Sequence, residues 1–460
     1  MLNAHALRTW AHETFGHADL GDRRRTQRLV GMAARLASSP AGTVTASFDD
    51  AGEREGAFRW LSNDGAPPSG VADALGVAAF GRAKGRAYCV VDGTSLTITD
   101  RAGCRDVGGV GAWRGKGRGL YVLTSLLLDE SGAPLGVPGV RFWARTKRTI
   151  RRVKPHKTLN SETRHTIELL HEIEARRATS APDLKMHFLL DRGFDAWALF
   201  RAVRDDSLSL TVRARGDRNL FALKGEKRRS LRAVLGRAPK LGEVLLEVPA
   251  RNEHRERLAV LEVRAVRVTL SLMVGARRCE PFEMTAVWAK EIGYRGPDPL
   301  HWMLLTTDSV GSLDDAQRVL DGYTFRWRIE ELHRTWKRGW CSVETTQLRA
   351  RDALCKWATL HLAVASRAIR ISHRARSEPD VPASEEFAPE EVDAILLWQK
   401  KRTKLRPGDT PALGEIVHLV ALLGGYTGKS SGGPPGPTVI GRGLEKVAVA
   451  AETMRMMRAK

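Results

Sequence analysis

The stretch Gly322–Trp340, GYTFRWRIEELHRTWKRGW, mixes five positive charges, two adjacent glutamates and three tryptophans. A solvated helix face has no use for so many aromatics, and a core helix would not carry so many charges. At about 100° per residue, Tyr323, Arg326, Glu330 and Lys337 point roughly to 0°, −60°, −20° and −40° on a helical wheel. One phenol, one acid and two bases therefore share a single stripe. An i,i+4 Arg–Glu pair alone is an ordinary surface feature worth tenths of a kcal/mol. It does not explain the tyrosine or the distant lysine.

Two further acids give the stripe a purpose. Asp92 follows the apolar run AYCVV (87–91), and Asp191 follows KMHFLL (185–190). Each reads as the carboxyl end of a strand, where ligand sites of α/β sheets gather, although aspartate also suits turns. Three carboxylates form a hard oxygen set that favours Mg²⁺, with Mn²⁺ as a substitute, over zinc. Two such ions about 4 Å apart can activate a nucleophile and stabilise the leaving oxygen of a phosphodiester. Arg326 and Lys337 would then sit on phosphates beside them.

The composition agrees. The chain has 460 residues, 42% of them hydrophobic, enough for a sizeable core and more than one domain. Lys and Arg outnumber Asp and Glu by 74 to 53, giving a net charge of +21 spread along the chain. Such a surface attracts polyanions, nucleic acid first among them. Cys89, Cys104, Cys279, Cys341 and Cys355 are scattered without a CxxC pair, which argues against zinc and a disulfide framework. No signal core and no long apolar run occur, so a cytoplasmic protein without a membrane span is expected.

Residues 1–72 read as helical. Asp22 is a suitable N-cap, with Leu29, Met32, Ala33 and Leu36 at core spacing. Arg24, Arg28 and Arg35 share another face that could follow a phosphate backbone, and 53–61 adds Arg54 and Arg59. Strands are expected at 87–98, 119–128 and 135–145. A basic stretch follows at 145–157, then a helix after Ser161, a strand at 185–191, a helix at 195–204 and a strand at 208–215. That order predicts a mixed α/β sheet. Residues 216–298 lack a helical period and read as an antiparallel β insertion. A buried strand returns at 299–308. Ser312 and Asp315 resemble a capping box at the head of a long helix expected to reach Trp340. An apolar helix (352–376), a polar linker (377–391), a basic run (400–406), a Gly/Pro loop (428–437) and a last helix complete the chain.

The segment 323-YTFRWRIEELHRTWK-337 resembles the DDE transposases of bacterial insertion sequences, in the group bearing Tyr-x2-Arg-x3-Glu-x6-Lys typified by transposon five. The resemblance extends in order through LGDRRRTQRLV (20–30), EGAFRW (55–60), VDGTSL (91–96), DRGFD (191–195), VRAR (212–215), HWMLLT (301–306) and LGGY (423–426). It implies an RNase H-like catalytic core in two parts, 73–215 and 299–372, interrupted by a β-rich insertion at 216–298. It also implies a DNA-binding domain at 1–72 and a dimerisation domain at 373–460. The acidic triad would be Asp92, Asp191 and Glu330, holding two Mg²⁺ ions. Arg326, Lys337, Tyr323 and Arg213 would contact DNA at the cut, and Trp302 would stack on a flipped base. Arg24, Arg28 and Arg59 would serve end binding. Gly93 and Gly193 stand where the family pattern leads one to expect a hydroxyl residue and an acid, and the Gly/Pro loop matches poorly.

The implied activity is cut-and-paste transposition. Transposon ends are cleaved through 3′-OH and hairpin intermediates by two-metal phosphoryl transfer, then joined to target DNA within a synaptic homodimer. The implied setting is the bacterial cytoplasm, at the nucleoid. Two other functions compete: an RNase H-like nuclease or junction resolvase, and a domesticated DNA-binding relative. The first leaves the Tyr/Arg/Glu/Lys stripe unexplained, and the intact acidic triad counts against the second.

Overall fold

The computed structural model describes residues 4–99, 103–111, 117–144, 161–223, 227, 229–248, 256–274, 278–428 and 433–458. Among these, eleven strands form one sheet. They are β1 (Arg86–Ile98), β2 (Gly108–Gly109), β3 (Arg118–Asp129), β4 (Pro134–Gly136), β5 (Val140–Trp143), β6 (Lys185–Leu190), β7 (Leu210–Arg213), β8 (Lys240–Val248), β9 (Arg257–Val274), β10 (Arg278–Glu291) and β11 (His301–Thr306). The spatial order is β2-β3-β1-β6-β7-β11-β10-β9-β8, with β4 and β5 also pairing with β3. β1 is antiparallel to β3 but parallel to β6, which is parallel to β7. Parallel neighbours need crossover connections. The helices Ser161–Ser180 and Trp197–Asp205 supply them. Antiparallel strands first, then parallel strands with crossover helices, make an RNase H-like mixed sheet with helical flanks, as the sequence predicts.

The insertion strands β8, β9 and β10 form an antiparallel meander, and β10 pairs with β11. They lengthen the core sheet instead of standing apart from it. This region also holds a helix, Leu231–Arg237, whose start is capped by Ser230 Oγ accepting the Ala233 N–H at 3.2 Å. The expectation of no helix there is corrected.

Local signals elsewhere match the structure. Asp22 accepts the Arg24 N–H at 2.8 Å, and Leu29, Met32, Ala33 and Leu36 of helix Arg23–Ser38 are buried. Ser312 and Asp315 form a full capping box. The helix predicted to run through to Trp340 is broken, however. Helix Leu313–Thr324 gives way to one 3₁₀ turn, Phe325–Trp327, before helix Arg328–Lys337. The turn lets Phe325 pack edge-on against Tyr88, with ring centroids 5.7 Å apart. The same ring lies over Gly132, whose φ is +80° and where a Cβ would fall 2.6 Å from it. The linker read at 377–391 is partly helical, because helix Pro389–Trp398 begins inside it. The basic stretch 145–157 and the middle of the Gly/Pro loop lie outside the described residues.

Each face of the sheet has its own core. Val90, Leu126 and Leu189 pack with Ile329, Leu332 and Trp336 and with the long helix Arg351–Ser377. On the other face, Val91, Leu127 and Leu190 pack with Leu170, Ile173 and Phe200 of the crossover helices. The long helix also holds the N-terminal helices in place. Trp357 Nε1 donates to the Gly42 carbonyl at 2.8 Å, and Lys356 Nζ to the Asn63 carbonyl at 3.0 Å. Helices Leu413–Leu423 and Pro437–Arg458 complete the C-terminal region. Among the described residues no helix is long and apolar enough to cross a membrane, and Cys89, Cys279, Cys341 and Cys355 are free thiols.

Candidate active site

Asp92 does not end its strand, as the sequence led one to expect. β1 continues to Ile98 in register with β3. What ends is the parallel pairing with β6, whose last pair is Val91 with Leu190. Asp92 and Asp191 are thus the next residues past the parallel ladder, on neighbouring strands spaced about 5 Å apart. Val91 and Leu190 belong to one core, and Val90 and Leu189 to the other. Side chains alternate along a strand, so both aspartates point to the Val90/Leu189 side. Helix Arg328–Lys337 lies on that side, with Glu330 in its first turn.

The acids feel one another. Burial first, and then the negative charge of Asp191, push the Asp92 pKa up to about 6; Glu330 adds to this, while the Gly93 N–H and Arg326 oppose it. Asp92 Oδ1 accepts from Gly93 N at 2.8 Å, and Asp191 Oδ1 from Gly193 N at 2.6 Å. Glu330 Oε1 faces Arg326 Nη2 at 3.4 Å. Among the described residues, no three His, Cys, Asp or Glu side chains already converge on one metal position. The donor chemistry still fits a hard divalent cation. All three groups offer carboxylate oxygens, and Asp191 and Glu330 add to burial in raising the Asp92 pKa, a burden of negative charge that a cation would relieve. A cavity of about 520 Å³ opens beside Asp92 and Asp191, walled by Thr94, Tyr121, Trp143, Glu162 and Phe194.

Cations border the acids. The Arg326 side chain is only 13% exposed, and its buried Nε has no hydrogen-bond partner. An anion brought to this edge would find a donor waiting. Arg213 Nη2 donates to the His301 carbonyl at 3.0 Å, and burial holds the guanidinium pKa below its usual range. Tyr323 is buried, and desolvation pushes its phenol up to about 12, partly offset by Arg326 and Arg213. Lys337 Nζ reaches Thr94 Oγ1 at 3.2 Å and Glu344 Oε1 at 3.5 Å. It therefore sits against β1 two residues beyond Asp92. The four motif residues gather here even though the single helix expected to align them is interrupted.

Trp302 departs from expectation. It is 4% exposed, and its indole packs edge-to-face on Tyr323, with ring centroids 5.5 Å apart. In the DNA-free chain it is a core residue of the β11 face with no ring surface open to a base. The N-terminal arginines also divide. Arg24 is 88% exposed and paired with Asp22, and Arg59 is exposed and paired with Glu55. Arg28 donates to the Glu53 carbonyl at 2.7 Å, and Arg35 Nε to the Ser47 carbonyl at 3.0 Å. Those two brace the helices and do not form part of an open basic stripe. The sequence reading passed over Trp327, exposed on the 3₁₀ turn beside Arg326. Its place between two arginines was the available signal. Glu344 was also missed: it is buried, and it accepts the Thr97 N–H at 2.9 Å and Arg338 Nε at 2.8 Å.

An RNase H-like sheet with two carboxylates just past its central parallel pair, a third on the helix above them and arginines beside them suits phosphodiester chemistry. Three family models match the chain: Transposase DNA-binding over residues 7–66, Transposase DDE domain over 144–366, and Transposase Tn5 dimerisation domain over 363–460. The chain belongs to the Tn5-type DDE transposases, which cut and join DNA and depend on divalent metal ions. Asp191 and Glu330 fall within the DDE match, whereas Asp92 precedes it. DNA is its partner, and it forms dimers.

Proposed function

We propose that the enzyme performs cut-and-paste transposition with Asp92, Asp191 and Glu330 as its catalytic carboxylates. The observation that carries this reading is the pairing of Val91 with Leu190, which sets Asp92 beside Asp191 under the helix of Glu330. The three acids would hold two Mg²⁺ ions, which Mn²⁺ can replace, and these supply Lewis acidity for phosphoryl transfer. Arg326, through its unpaired Nε, takes a phosphate oxygen next to the scissile bond. Arg213 and the Tyr323 hydroxyl hold the neighbouring phosphate, and Lys337 steadies the strand near Thr94.

Water attacks a phosphodiester at the transposon end and releases a 3′-OH. That hydroxyl attacks the opposite strand to give a hairpin, a second water opens it, and the 3′-OH finally attacks target DNA. Every step exchanges one phosphodiester oxygen for another, so one set of acids and arginines serves all of them. A base extruded during hairpin closure would reach Trp302 only after the Tyr323 ring swings aside. Residues 1–72 would bind the ends and residues 373–460 would join two copies in the synaptic complex. The core would comprise 73–215 and 299–372, around the insertion at 216–298. The test is incubation of purified protein and Mg²⁺ with a donor carrying the element's own ends. Hairpin-ended flanks and joined products are expected. Simple nicks without joining would leave a nuclease.

A further inference from the structure

We infer that His333 is a positioning residue for the catalytic carboxylates, locking the Glu330 helix to the Asp92 strand through Thr124. This inference rests on the proposed metal role of those acids. Thr124 lies on β3 directly opposite Asp92 in the β1–β3 ladder. Directly opposed residues of an antiparallel pair project to the same side of the sheet. Thr124 therefore shares the Asp92 side, where helix Arg328–Lys337 packs. His333 stands three residues after Glu330, on the same helix face. Its Nε2 and Thr124 Oγ1 are hydrogen-bonded at 2.6 Å, and Thr124 is fully buried with His333 nearly so. The neighbours Ile329, Leu332 and Trp336 are apolar and buried. They press the helix onto the sheet, but packing of this kind tolerates sliding. One buried polar bond does not, because breaking it strands two polar groups away from water. The Thr124–His333 bond thus fixes how far along β3 the helix sits, and with it the separation of Glu330 from Asp92.

The bond uses neutral imidazole. Burial, with Lys337 nearby, holds the His333 pKa down to about 3. The groups facing it are Thr124 on β3 and Lys337 on its own helix. An uncharged side chain places the carboxylate without adding positive charge that would compete with a bound cation.

The test is titration of the full-length protein with Mn²⁺ alone, followed by calorimetry, with thermal melting alongside. Thr124→Val removes the hydroxyl at nearly constant volume, and Thr124→Ser keeps it. Thr124→Val is expected to weaken Mn²⁺ binding by about 10-fold or more, the usual effect of losing a group that orients a ligand. Thr124→Ser should restore it. A lower melting temperature for Thr124→Val with unchanged Mn²⁺ affinity would reduce the bond to a structural one and overturn the inference. So would equal weakening in the valine and serine variants. Asp92→Asn serves as control. If it also leaves Mn²⁺ binding unchanged, the metal reading of the acids fails. If it weakens binding while Thr124→Val does not, only the positioning role fails.

Discussion

Asp92 and Asp191 follow the last residue pair of the parallel ladder between β1 and β6, so two acids from segments far apart in sequence become neighbours through backbone pairing alone. Loss of any one proposed metal ligand should stop chemistry without loosening DNA. Asp92→Asn, Asp191→Asn and Glu330→Gln are each expected to give no cleavage while binding transposon ends like wild type. Gel shifts run beside denaturing gels check this, and near-normal nicking by any variant would remove that residue from the set.

The burial of Asp92 beside the other acids has a pH signature. The folded-state pKa of Asp92 is raised from 3.8 to about 6. The metal-free folded protein therefore holds this proton more tightly than the unfolded chain does. The ionised group opposes folding, and the metal-free protein loses stability as pH rises from about 4 through 6, on the order of 2 kcal/mol in all. Asp92→Asn should accordingly melt a few degrees above wild type at pH 7 without metal. Divalent cation should close the gap by stabilising wild type alone. Below pH 6 protons compete for the same oxygens, so metal affinity should fall. Identical melting curves for wild type and variant across pH 4–8 would contradict this.

The two exposed N-terminal arginines and the braced one should behave differently. Arg24→Ala and Arg59→Ala are expected to weaken end binding and to lower the salt slope by about 0.9 each, the loss of one phosphate contact. Neither should shift the melting temperature. Arg28→Ala removes the bond to the Glu53 carbonyl and should lower the melting temperature together with binding. Salt-dependent gel shifts and calorimetry separate the two cases.

Much of this was legible in the sequence, for local reasons. The apolar spacing of Leu29, Met32, Ala33 and Leu36 needs only one helix to have meaning, and the Ser312–Asp315 box needs only one turn. Asp92 and Asp191 stood out because each follows a buried apolar run. What stayed hidden depends on distant partners. The break at Phe325 arises from packing on Tyr88 and Gly132, and no helical wheel contains those residues. Arg28 and Arg35 looked free because the carbonyls they hold belong to other helices. That the β insertion extends the core sheet stayed hidden because its pairing with β11 is a choice of neighbour, not of period. Glu344 gave no local sign that it would hold Lys337.

Trp302 separates folding from mechanism. Its edge-to-face contact with Tyr323 makes Trp302→Ala a core truncation expected to cost about 3–5 kcal/mol. If it also stacks on an extruded base, a further 10- to 100-fold loss should fall on hairpin closure alone. Trp302→Phe keeps an aromatic against Tyr323 and should recover most of the stability. Time-resolved gels of one labelled end, with melting curves, check this. Equal losses in nicking and hairpin closure that track stability would confine Trp302 to the core.

Three carboxylates on one side of the sheet are proposed to carry metal-dependent cleavage of transposon ends. The most direct measurement is the first-strand nicking rate on an end-bearing DNA, followed over a Mn²⁺ titration for wild type and Asp191→Asn. Saturable, chelator-reversible nicking by wild type and none by the variant at any Mn²⁺ concentration is the expected result. Nicking that persists in the variant, or that proceeds in wild type with all divalent metal removed, would contradict the account.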